Sequence, residues 1–99
     1  MGASAASRTE EAITWFEKAR NAAPTHPNLR AQLASAYALN GETERGAAEL
    51  AEAQRLSPDD RYSSLARLRT FYNFDVPKIR ALRDATYFAG LRKAGMPEE

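Results

Sequence analysis

The sequence predicts an all-α chain, and three observations carry the prediction. Apolar residues recur every three to four positions and nowhere alternate with a period of two. Helix-stopping or helix-opening residues punctuate the chain at Pro24, Pro27, Gly41, Pro58, Pro77, Gly95 and Pro97. One order of residues also occurs twice, as AITWFEKARNAAP at Ala12–Pro24 and GAAELAEAQRLSP at Gly46–Pro58. In each, a small residue is followed by a large apolar one, then Ala, then Pro, and the two prolines stand 34 residues apart.

The first helix is expected over 8–24. Ser7 and Glu10 have the spacing of a capping box, Ala12, Ile13, Phe16, Ala19 and Ala23 follow at helical spacing, and Pro24 ends the run. Pro27 suits a first helical turn, since its missing N–H would have no helical partner there. The second helix, Pro27–Asn40, carries Leu29, Leu33, Ala34, Tyr37 and Ala38 on one side, and Gly41 supplies a left-handed stop. A third, Thr43–Leu56, is expected to turn Ala47, Leu50, Ala51 and Ala53 inward and Glu44, Glu49, Glu52 and Arg55 outward. After Ser57-Pro58 the acidic pair Asp59-Asp60 reads as helix-start carboxylates. It would open a fourth helix over Asp59–Tyr72 built on Leu65, Leu68 and Phe71. Asp75 is a candidate cap for a last helix, Pro77–Ala94, which Gly95-Met96-Pro97 terminates.

Composition narrows the function. Ninety-nine residues hold one domain with a modest core, and the 43% hydrophobic and 27% charged shares are those of an ordinary globular chain. No apolar run approaches membrane-spanning length. The start, MGASAAS, has no signal-peptide pattern, so a cytoplasmic location is expected. With no cysteine, disulfides, thiolate metal sites and cysteine nucleophiles are excluded. The single histidine, His26, lies in a turn, and the glycines are scattered singly, so neither a His-based site nor a phosphate loop is available. No cofactor, metal or catalytic residue is expected. The net charge of +1 divides into −3 over residues 1–60 and +6 over residues 61–97. Lys78, Arg80, Arg83, Arg92 and Lys93 could meet an acidic partner, but no groove-reading motif accompanies them and nucleic-acid binding is not expected.

The repeated order resembles the tetratricopeptide repeat, a 34-residue helix–turn–helix unit. Ala12, Phe16, Ala19 and Pro24 match its second-helix positions, and Gly46, Leu50, Ala53 and Pro58 match in kind. Leu33, Ala34 and Tyr37 match the first helix, while Arg30 departs where a large aromatic is usual. The resemblance implies a fragment of an α-solenoid, about five helices in antiparallel pairs with a C-terminal capping helix. Its parts would be a disordered lead or foreign remnant (1–7), the second helix of an incomplete repeat (8–24), one complete repeat (27–58), and a degenerate repeat with the cap (59–97). The tail gives a narrower resemblance. Gly90–Glu98, GLRKAGMPE, is similar to the closing segment of repeat-bearing class III adenylate/guanylate cyclases of α-proteobacteria. That likeness implies the regulatory or scaffolding tail of a bacterial cyclic-nucleotide signalling enzyme, whose cyclase domain would precede the repeats.

What the resemblance implies for function is a non-catalytic protein–protein interaction module. First helices of such repeats line a concave groove for peptides, which places Asn28, Ala31, Gln32, Ser35 and Leu39 there, followed by Tyr62, Leu65, Ala66 and Arg69. Ala31 and Ser35 stand where some members carry a carboxylate clamp, so that clamp is not expected. Asn28, Gln32, Ser35, Tyr62 and Arg69 could bind a polar peptide or be solvated wall. A stand-alone adaptor and a structural self-association element are the alternatives. The second rests on Ile13 and Trp15, expected bare on the side of the first helix that a preceding helix would cover, which would favour a homodimer.

Overall fold

A computed structural model describes residues 5–99, with side chains from Arg8 onward. Among them are six α-helices and no strand: α1 (Ala5–Ala22), α2 (Pro27–Leu39), α3 (Thr43–Leu56), α4 (Leu65–Arg69), α5 (Pro77–Ala85) and α6 (Tyr87–Lys93), with a 3-10 turn at Thr70–Tyr72. The backbone at Ser7 is already helical, so the expected start at Ser7–Glu10 falls inside α1. The Ser7 side chain and residues 1–4 lie outside the described residues.

Helix α2 is the centre of the molecule and packs against α1, α3 and α6. Its composition allows this. Ala31, Leu33, Ala34, Ser35, Ala36, Tyr37 and Ala38 are all buried, and the small residues among them let three helices approach one axis. Gly46 brings α3 especially close, since a Cβ there would lie 2.8 Å from the Ala34 carbonyl oxygen. At the end of α2, Gly41 takes φ +84°, Glu42 N–H donates to Tyr37 O (2.8 Å) and Gly41 N–H to Ala38 O (3.1 Å). This is the Schellman arrangement expected of a glycine stop.

On α3 the inward face is Gly46, Glu49, Leu50 and Ala53. Ala47 and Ala51, expected inside, are exposed, and Glu49, expected outside, is buried. The helical wheel explains the first correction: positions 46, 49, 50 and 53 share one stripe, and 47 and 51 lie about 100° or more off it.

The second half departs most from expectation. Asp59–Ser64 is not helical. Asp59 instead accepts the Arg61 backbone N–H (3.1 Å) and guanidinium (2.8 Å), a local turn that competes with helix formation. Asp59-Asp60 therefore caps nothing. The cap of α4 is Ser64, whose hydroxyl accepts from Arg67 N–H at 3.1 Å. The expected last helix breaks at Thr86 (φ −121°, ψ −82°) into α5 and α6. Asp75 is not its cap either. Val76 holds that position, and the Asp75 carboxylate, almost wholly buried, pairs with Arg83 at 2.5 Å.

The break at Thr86 directs α6 onto α2 and leaves α5 outside. Tyr87, Phe88, Leu91, Ala94 and Met96 join Ala31, Ala34, Leu50, Ala53, Tyr62, Leu65 and Leu68 in the main core. Ile79 and Leu82 are 40% and 59% exposed, and no residue of α5 is buried. Ile13, Leu33, Ala36 and Tyr37 form a second cluster between α1 and α2, with Phe16 packed against it.

The tail GLRKAGMPE closes this arrangement residue by residue. Gly90 presses against Ser35, and Leu91 and Met96 are core. Gly95 takes φ +110° and Met96 N–H returns to Leu91 O (3.0 Å), the second Schellman stop. The Pro97 and Glu98 carbonyls accept the Leu65 and Ala66 N–H groups, both at 2.8 Å, so the tail satisfies the open end of α4. The Glu98 carboxylate pairs with Arg92 and with Arg69 (3.2 Å).

Candidate functional site

The residues expected to line one groove are divided by α6. Ser35 is buried, its hydroxyl donating to Tyr87 O at 2.9 Å, and Ala31 is wholly covered. The centre of the expected concave face is thus occupied by the chain's own C-terminal helix. Gln32, Ser35 and Leu39 remain at the edge of a shallow groove of about 260 Å³ between α1 and α2, whose α1 wall includes Arg8, Ala12 and Phe16. Asn28 and Tyr62 line a separate cavity of about 390 Å³ between the α1–α2 and α3–α4 turns. Arg69 belongs to a third recess beside Tyr72 and Phe88, and its guanidinium already pairs with Asp84 (3.4 Å) and Glu98. Leu65 is buried and Ala66 exposed.

The self-association candidates also separate. Ile13 is 7% exposed and packs on α2, so it is not on the bare side of α1. It lies three residues before Phe16 and shares its face, which the position of Phe16 against α2 determines. Trp15 is 71% exposed with the Lys18 ammonium 5.4 Å from its ring centre.

Among the repeat-packing residues, Leu33, Ala34, Tyr37, Gly46, Leu50 and Ala53 are buried. Ala12, Phe16 and Ala19 are half-buried, while Pro24 and Pro58 stand exposed in turns.

Sequence reasoning missed the polar tie that holds α1, α2 and α3 together. Glu49 accepts from Arg20 (2.7 Å) on α1 and from Arg30 (3.0 Å) on α2. Arg30 also donates through Nε and Nη2 to Pro24 O (3.2 and 3.0 Å), anchoring the turn that Pro24 closes. Burial pulls the Arg20 guanidinium toward neutrality, but the hydrogen bond and charge of Glu49 outweigh it and hold its pKa above the usual value. Beside this tie, burial and then the Glu17 carboxylate raise the Tyr37 hydroxyl, which donates to Glu17 at 2.5 Å. The signal was available: Arg30 stands where the repeat pattern wants a large aromatic, and a charge placed there requires a partner.

This geometry defines a class. Helices α2 and α3 form an antiparallel pair with the preceding helix α1 stacked on it, and proline turns recur at a 34-residue spacing. The tetratricopeptide repeat family model matches residues 3–68, two thirds of the chain, and the chain belongs to that family. No curated protein and no solved structure matches it. Tetratricopeptide repeats are non-catalytic folds that mediate protein–protein interaction. Among the described residues no helix is long and apolar enough to cross a membrane.

Proposed function

We propose that this chain binds an extended peptide of a partner protein in the groove between α1 and α2. The supporting observation is the groove itself: Leu39 at 37% exposure and half-buried Phe16 offer apolar contact, while Gln32 and Arg8 supply polar groups. With α6 occupying the centre of the expected face, this flank of α2 stays open to a ligand. A photo-crosslinking residue at Gln32 or Leu39 should give partner adducts that the same residue at exposed Glu44 on α3 does not. Equal yields at all three positions would refute the groove.

The finer reading is that the module is the C-terminal regulatory or scaffolding tail of a bacterial class III nucleotide cyclase. Its support is the likeness of Gly90–Glu98 to the closing segment of those enzymes. The reading frame upstream tests it directly, since a cyclase catalytic domain there is required. The isolated chain should neither bind Mg-ATP nor form a cyclic nucleotide, and a micromolar site in calorimetric titration would contradict that. Self-association is a second reading, favoured by the exposure of Trp15. Two chains meeting through α1 should sediment as a dimer that Trp15→Ala dissociates, and a monomer at high micromolar concentration would eliminate it.

A further inference from the structure

Helices α5 and α6 are one helix by sequence and two in the structure. Residues 77–94 hold no proline after Pro77 and a single glycine, Gly90. Around the break the bonds are already those of a continuous helix. Leu82 O accepts the Thr86 N–H (3.0 Å) and the Thr86 hydroxyl (2.7 Å), and Thr86 O accepts the Gly90 N–H (2.9 Å). The N–H groups in the first turn of a separate α6 have no carbonyl within their own helix, and joining α6 to α5 supplies them. What holds the bend is distant in sequence: the Ser35 hydroxyl bond to Tyr87 O and the burial of Phe88, Leu91 and Met96. Local preference and tertiary packing pull this junction in opposite directions.

A straight helix over 77–94 carries α6 away from its own α2. A second copy of this chain presents the same receiving surface. It offers the Ser35 backbone against which Gly90 fits, and the Leu65 and Ala66 N–H groups that the Pro97 and Glu98 carbonyls accept. The ties of α5 to its own chain need not break. Arg83 to Asp75, and Arg80 to the Asn73 and Asp75 carbonyls, all precede Thr86. Exchange also gives a partner to an apolar strip that the single chain leaves open. Val76, Ile79 and Leu82 are 59%, 40% and 59% exposed and lie on one side of α5. In a reciprocal exchange the two connecting helices meet at the two-fold axis, strip against strip.

We infer that this chain forms a reciprocal dimer in which α6 and the tail of each copy dock on α2 of the other, with α5 and α6 joined through Thr86 as one helix. The inference rests neither on the α1–α2 groove nor on Trp15. Lys78 and Arg80 stand on either side of the strip and repel their copies, so the dimer belongs to high protein concentration.

The test refolds the full chain from urea at high micromolar concentration and separates the species by sedimentation, where a dimer is expected. Thr86→Ala, which favours the straight helix in both copies, should tighten the dimer about tenfold, and Thr86→Gly should loosen it. Leu82→Glu should loosen it without shifting the melting of the monomer, in which Leu82 is exposed. Trp15→Ala should leave it unchanged. Mixing isotope-labelled and unlabelled chains before refolding shows which chain supplies α6. Filtered NMR spectra of the dimer should place Gly90 of one chain beside Ser35 of the other. A chain that stays monomeric, or a dimer whose Ser35–Gly90 contact remains within one chain, would overturn the inference. So would a dimer that neither Thr86 substitution shifts, or one that Trp15→Ala dissociates, which would assign the contact to α1.

Discussion

Replacing Gly90 by alanine separates the role of this residue in the fold from its helical propensity. In a solvent-facing helix, Gly→Ala stabilises by about 1 kcal/mol, because alanine restricts the unfolded chain and favours the helix. At Gly90 the sign should reverse. A Cβ there would lie 2.0 Å from Ser35 Oγ, 2.6 Å from the Ser35 carbonyl oxygen and 2.9 Å from its carbonyl carbon. The hydroxyl could rotate away at the loss of its bond to Tyr87 O, but the carbonyl belongs to the interior of α2 and cannot. Helix α6 would have to withdraw, and with it Phe88 (2% exposed) and Leu91 (0%) would lose contact with α2. Overpacking of this kind costs about 1–3 kcal/mol, and a fixed backbone atom puts it at the upper end. After the propensity gain, the net loss is about 2 kcal/mol. For a domain of this size that lowers the thermal midpoint by about 10 °C. Urea denaturation followed by circular dichroism measures it. Gly90→Ala combined with Ser35→Ala should recover only part of the loss, since the carbonyl contact remains. A Gly90→Ala chain as stable as the parent, or more so, would refute the docking of α6 on α2.

Phe88→Ala should cost about 3–5 kcal/mol, whereas Leu82→Ala, on the exposed face of α5, should stay within about 0.5 kcal/mol; comparable losses in thermal melts would put α5 in the core. Glu49→Ala, which leaves Arg20 and Arg30 facing each other half-buried, should destabilise by about 2–4 kcal/mol in urea titration, and a neutral result would remove the tie between α1, α2 and α3. Hydrogen bonds from Arg92 and then Arg69 hold the Glu98 carboxyl below its ordinary range, so its contribution is present above the unfolded pKa and lost as pH falls through the lowered one. Glu98→Gln should therefore narrow the difference between neutral and acid stability, and an unchanged acid limb would show that the tail's charge contributes nothing.

The first half of the fold was legible because its residues are decided by neighbours close in sequence. Leu33, Ala34 and Tyr37 are set by helical spacing, and Gly41 by a stop that needs positive φ. The second half was misread because its decisive contacts are distant. Thr86 carries no local signal for a break, yet without it α6 could not reach Ser35, some fifty positions earlier. The same distance hid the split of the candidate groove. Asn28, Gln32 and Ser35 share a helix, and only the arrival of α6 assigns them to a cavity, a groove and the core in turn. In a complete array, a full-length helix following Pro58 would be expected to cover α2. Here Asp59 holds the chain in a turn, and α4 spans only five residues. That leaves the face of α2 around Ser35 to be covered by α6, whose Gly90 and Tyr87 meet it. The stop at Gly95, the burial of Met96 and the return of Pro97 and Glu98 to α4 then follow from one requirement. A chain that covers α2 with its last helix must also satisfy the N–H groups of the short helix it displaced.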